Sequence, residues 1–154
     1  MAARLSDREL RAWRAFLRAH RAVTGALDAE LVDERDVSLG AYEVLLVLAR
    51  APDRAMRMSE LADAVLLSRS GLTRLIDRME AEGLVERITC ATDARGLLAH
   101  LTERGYRRLK QAAPTHLRGI RQHFTGRLSG DQLDALADAL ESITAAATGP
   151  PASG

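Results

Sequence analysis

The chain has 154 residues, 47% of them apolar, which suits one domain that folds by itself or with a copy of itself. A formal net charge of only +1 makes no general case for a nucleic-acid partner, so any such surface must come from local segregation of charge. One cysteine, Cys90, excludes an intrachain disulfide framework and a multi-cysteine zinc site within one subunit.

Aromatic content is 3%, while Leu and Ala recur throughout, so a mainly α chain is expected. The region from Met1 to Arg18 is rich in charge and lacks an apolar core segment, and no later apolar run approaches the ~18 residues of a span; no membrane partner and a cytoplasmic location are expected by default. Of the 22 basic residues only Lys110 is a lysine. Guanidinium groups suit bidentate phosphate and guanine contacts, but a coding bias toward Arg explains the excess equally well.

Ser6-Asp7-Arg8-Glu9 has the form of a capping box. Beyond it Leu10, Trp13, Leu17, His20, Thr24, Leu27 and Leu31 alternate three and four apart, predicting a long amphipathic helix whose stripe needs the C-terminal segment or a second subunit to cover it. Ser38 caps a second helix over Leu39–Arg50, ended by Pro52 and too apolar all round to be exposed. A short helix over Ser59–Ala64, poorly capped at Arg57, a turn through Ser68, and a helix over Arg69–Glu82 stopped by Gly83 form a helix-turn-helix candidate. Strands Leu84–Thr89 and Leu97–Leu101 around the polar loop Cys90–Gly96 predict a β-hairpin. Thr102 caps a helix from Glu103 to about Arg127 with a kink at Pro114, and Ser129-Gly130-Asp131-Gln132 opens a last helix with Leu133, Leu136, Leu140 and Ile143 on one face. The tail 148–154 is expected to be disordered.

In the helix over 69–82, Leu72, Leu75, Ile76 and Met79 fall on one side, leaving Arg69, Ser70, Thr73, Arg74 and Asp77 on the other with Arg78 at the flank. Short side chains admit a helix to the ~12 Å major groove, Arg pairs with guanine, and a helix capped by Ser68 directs backbone N–H groups at a phosphate. The same face also reads as a solvated one laced by Asp77, Arg74 and Arg78. At the hairpin tip, Arg95 is placed to enter a minor groove, and Asp93, repelled by phosphate, is placed to hold Arg95 or a helix Arg; an ordinary turn explains the Asp and Gly as well.

These residues resemble the MarR family of multiple-antibiotic-resistance-type regulators. The similarity runs through Met58 to Ala62, Leu67 to Glu80, Gly83 to Arg87, the wing Asp93-Ala94-Arg95-Gly96, and Leu101 to Gly105, and extends from about Leu5 to Ile143. The resemblance implies a mainly α winged helix-turn-helix fold with a small β-hairpin wing. It also implies a homodimer joined through an N-terminal helix (5–36) and C-terminal helices (103–147), with a DNA-binding domain at 37–102. Ser68, Arg69, Ser70, Thr73, Arg74 and Arg78 would face double-stranded DNA in the major groove and Arg95 the minor groove, on a pseudopalindromic operator with half-sites ~10 base pairs apart. Repression is the outcome the resemblance favours.

The resemblance further implies a small aromatic or anionic effector in a crevice near Trp13, Phe16, His20 and Tyr42, although these rings also suit a packed dimer core. Cys90, close to Arg87 and Arg95, matches no oxidant-sensing position and reads as an incidental thiol. The four histidines lack metal-ligand spacing, no nucleophile-base constellation is present, and neither an enzyme nor a cofactor is expected. A winged-helix protein-interaction module without DNA binding is the alternative, and a ligand-carrying dimer without regulation a third reading.

Overall fold

The computed structural model describes residues 4–65, 67–90 and 93–148, by backbone alone at 93–95 and 148. It comprises α1 (Asp7–Arg35), α2 (Leu39–Arg50), a 3-10 turn (Pro52–Arg54), β1 (Ala55–Arg57), α3 (Met58–Ala64), α4 (Arg69–Ala81), β2 (Val85–Cys90), β3 (Asp93–Leu101), α5 (Glu103–His123), a second 3-10 turn (Thr125–Arg127) and α6 (Gly130–Thr148). This is a mainly α winged helix-turn-helix with a small antiparallel sheet, the fold that the family resemblance implies.

The helix starts follow from local chemistry. Glu9 N–H donates to Ser6 Oγ while the Glu9 carboxylate accepts from Ser6 N–H, closing the capping box. Ser38, Ser68 and Thr102 each accept a backbone N–H three residues on, and Ser129 and Gln132 exchange the same reciprocal bonds at α6. Arg57, before α3, supplies no side-chain cap. After α4 the chain turns at Gly83, φ 72°, with Gly83 N–H donating to Glu80 O and Leu84 N–H to Met79 O. That paired closure needs a left-handed residue, which glycine supplies without a Cβ clash.

Three expectations are corrected. The sheet has three strands in the order β1-β3-β2, not two. β1 is only three residues long and follows a 3-10 turn, too short for alternation to register. The hairpin loop is narrower than Cys90–Gly96: β2 reaches Cys90, which pairs with Asp93 across a register shift between Thr89 and Cys90, so residues read as loop from their Asp and Gly lie in β3. Helix α5 ends at His123 rather than about Arg127, where the backbone leaves helical geometry at Phe124 (φ −131°, ψ −79°) and a 3-10 turn takes over. Pro114 sits within α5, which continues past it. Thr148 closes α6, and the expected disordered tail beyond it lies outside the described residues.

A single core joins Leu31, Tyr42, Leu45, Leu48, Leu61, Leu72, Ile76, Met79, Leu84, Val85, Leu101 and Leu109. At the start of α5, Gly105 lies so close to Leu84 that a Cβ would overlap the Leu84 carbonyl oxygen. Thr102 Oγ1 donates to the carbonyls of Gly83 and Leu84 at the same junction. The wing and α5 are thereby fixed to the end of the helix-turn-helix.

Candidate nucleic-acid interface

α4 divides as its period predicts: Leu72, Leu75, Ile76 and Met79 are buried, whereas Arg69, Ser70, Thr73, Arg74, Asp77 and Arg78 are exposed. Ser68, also exposed, caps the helix by accepting from Gly71 N–H at 3.0 Å, and its hydroxyl lies 3.3 Å from that of Ser70. Thr73 donates its hydroxyl to the Arg69 carbonyl at 2.8 Å.

The acids of this helix are directed to the sheet rather than to the helix arginines. Arg87 of β2 donates to Asp77 and to Glu80, each at 2.5 Å, and its backbone N–H donates to Glu80 at 3.0 Å. That backbone bond, then the guanidinium, holds the Glu80 carboxyl below the usual carboxylate range. Among the described residues, no carboxylate pairs with Arg69, Arg74 or Arg78. The expected lacing of Asp77 to Arg74 and Arg78 is thus replaced by a clamp from α4 to β2.

Between α4, the start of α3 and the wing lies a cleft of about 470 Å³ lined by Arg57, Ser59, Thr73, Arg87, Gly96 and Leu97, among others. A second hollow of about 270 Å³ is lined by Met58, Ser59, Arg69, Leu72 and Thr73. Thr73 borders both. The side chains of Asp93 and Arg95 lie outside the described residues, while their backbone belongs to β3 and leads into the cleft-lining Gly96 and Leu97. Cys90 is half-buried, and Arg57 Nη2 lies 3.9 Å from its sulfur, whereas Arg87 is engaged by Asp77 and Glu80.

The rings expected at an effector crevice divide in this chain. Trp13 and Phe16 are exposed, with centroids 6.1 Å apart, and Phe16 continues to His20 at 6.4 Å. Tyr42 is buried on α2 instead, 4.3 Å from the His116 ring, and burial raises the pKa of its hydroxyl. Burial lowers the pKa of His116, whose Nδ1 has no hydrogen-bond partner among the described residues. Nearby, α1 is tied to α5: Arg118 donates to Glu34 at 2.5 Å, Thr115 joins Glu34 to Arg35, and His123 lies 2.6 Å from Glu30.

Sequence reasoning missed Arg87, Glu80, Arg57, Ser59 and His116. The clamp had a legible signal, since Asp77 and Glu80 stand three apart on α4 and an Arg follows just beyond the turn; His116 had none. No cluster of His, Cys, Asp or Glu among the described residues could hold a metal ion, and no described helix is long and apolar enough to cross a membrane.

The MarR family model matches residues 35–96, from the end of α1 to the wing. AbsC, a MarR family transcriptional regulator from Streptomyces coelicolor, shares 37% identity at a TM-score of 0.88, with 97% of this chain and 100% of that one covered. Sco3205, a MarR family transcriptional regulator from the same organism solved in complex with DNA, shares 32% identity at a TM-score of 0.89, covering 99% of this chain and 95% of that one. The transcriptional repressor MprA of Escherichia coli K12 is 27% identical over 77% of this chain and 68% of its own length. With its winged fold, its exposed arginine-bearing α4 and full-length relatives above 30% identity, this chain belongs to the MarR family of transcriptional regulators.

Proposed function

We propose that this chain is a sequence-specific DNA-binding repressor that acts as a homodimer on a pseudopalindromic operator. The observation that carries the reading is the electrostatic sorting of α4: its two acids, Asp77 and Glu80, are both engaged by Arg87, while Arg69, Arg74 and Arg78 face solvent without carboxylate partners among the described residues. Unpaired guanidinium groups on an exposed helix suit phosphate and guanine. In this reading Ser68, Arg69, Ser70, Thr73, Arg74 and Arg78 meet the major groove and Arg95 the adjacent minor groove. The DNA-bound relative Sco3205 and the repressor MprA support DNA binding and repression respectively.

Dimerisation is supported by what one chain leaves open. Residues 11–20 of α1 are exposed throughout, and none of residues 130–147 in α6 is buried. We assign 5–36 and 103–147 to the dimer and 37–102 to DNA. An aromatic or anionic effector is proposed beside the Trp13, Phe16 and His20 ladder, with Tyr42 entering the pocket only if its packing on His116 opens. Quenching of the single Trp13 by benzoate tests that site, and no saturable quenching removes it.

DNA binding is tested by fluorescence anisotropy against DNA upstream of the chain's own gene at two salt concentrations, with unrelated DNA as control. Tight, salt-sensitive preference for the upstream DNA is expected, and Arg74→Ala should cost about 1–3 kcal/mol if it reads a base. Equal weak binding to every duplex and to the variant would favour a protein-interaction module instead.

A further inference from the structure

The reading face carries three hydroxyls, at Ser68, Ser70 and Thr73, and their bonds separate their roles. Ser68 is occupied as the cap of α4, and Ser70 lies against it. Thr73 is exposed and borders both hollows beside α4, yet its hydroxyl hydrogen is given to Arg69 O. A threonine whose oxygen turns back onto the carbonyl four residues earlier directs its γ-methyl away from that carbonyl. Thr73 therefore offers a partner an apolar methyl rather than a free donor, and the half-buried Met58 on the same hollow extends that apolar character.

In the major groove, thymine alone presents a methyl group, at C5, and a side-chain methyl reads it by contact. On the reading that α4 enters this groove, we propose that Thr73 is a specificity-determining residue that selects a thymine through methyl-to-methyl packing. The exposed guanidinium of the adjacent Arg74, without a carboxylate partner among the described residues, supplies a polar contact beside it. The hydroxyl does not read the base; it locks the rotamer that aims the methyl.

The test uses duplexes selected from a random library by the wild-type protein, with each thymine replaced in turn by deoxyuracil, which removes only the C5 methyl. One thymine per half-site should respond, by about fourfold for one half-site and on the order of tenfold for both. Thr73→Val, whose two methyls occupy the same two positions, should keep this discrimination. Thr73→Ser, which keeps the hydroxyl, should bind the thymine and uracil duplexes alike and about as weakly as wild type binds uracil.

Circular dichroism checks that both variants fold. Preserved discrimination in Thr73→Ser together with its loss in Thr73→Val would overturn the assignment and return the role to the hydroxyl, as would a wild-type site insensitive to every uracil. Failure of the wild-type protein to select any duplex would instead remove the DNA-binding reading, and this assignment with it.

Discussion

The winged region and the helices that flank it differ in how completely one chain finishes them. From Val37 to Leu109 most apolar residues close on one another, with Leu45, Leu48, Leu61 and Ile76 wholly buried, although Leu67, Ile88 and Leu97 at the turn and wing stay exposed. In α1, only the lower part of the stripe is covered: Leu27 and Leu31 are buried, while Trp13 is 55% and Leu17 45% exposed. In α6, Ile143 is 65% exposed. On the proposed dimer, a recognition unit is folded internally while the helices assigned to pairing stay incomplete until association. Apolar stripes left open on two long helices are unusual for a monomer and suited to an obligate interface.

The sharpest way to break this comparison is Ile143→Asp. If α6 lies in the proposed dimer interface, each dimer would lose two isoleucines buried on association at about 1.5–3 kcal/mol apiece, weakening association by at least about a hundredfold while the winged region stays folded. Sedimentation velocity reads the change, and an unaltered dimer would remove α6 from the interface.

Next in size is Ile76→Ala, which removes a fully buried side chain behind the recognition face. It should cost about 2–5 kcal/mol in urea unfolding, because the surrounding core cannot fully collapse into the space. A much smaller loss would mean the winged core is looser than its burial implies.

The smallest effect contrasts acids in the two regions. Glu80 is held below the ordinary carboxylate range by Arg87, and Glu34 by Arg118 and then Thr115. A carboxyl with a lowered folded pKa stabilises above its unfolded value, and that contribution is lost as pH falls through the folded value. Glu80→Gln and Glu34→Gln should each flatten the acid-side fall in melting temperature below about pH 4.5. Identical curves for wild type and Glu80→Gln would show that the charge on Glu80 contributes nothing to folding.

The parts legible in sequence were those governed by neighbours along the chain. Ser6, Ser38, Ser68, Thr102 and Ser129 announce helix starts because each bonds a backbone N–H three residues on, and the buried side of α4 follows from its 3.6-residue period. Harder to read were contacts made by distant residues. β1 exists only because β3 lies beside it, with Met56 facing Ala99, and Tyr42 is sealed by His116, which lies far along the chain. The direction of Asp77 likewise depended on where the turn at Gly83 delivers Arg87. The exposed arginines were legible as a face, but their lack of carboxylate partners emerged only once Asp77 and Glu80 were seen to be engaged elsewhere.

One feature of the sheet bears on how such a protein could be switched. β1 enters the helix-turn-helix and β2 leaves it, and both are hydrogen-bonded to the same central strand, β3, whose next residue caps α5. The two ends of the reading head are therefore geared to one shaft, and that shaft is continuous with the helix tied to α1. In the proposed dimer, a shift between α1 and α5 would swing each head as a solid jaw. The molecule would behave as a calliper, in which a few degrees at the pivot change the span between jaws and leave the profile of each intact.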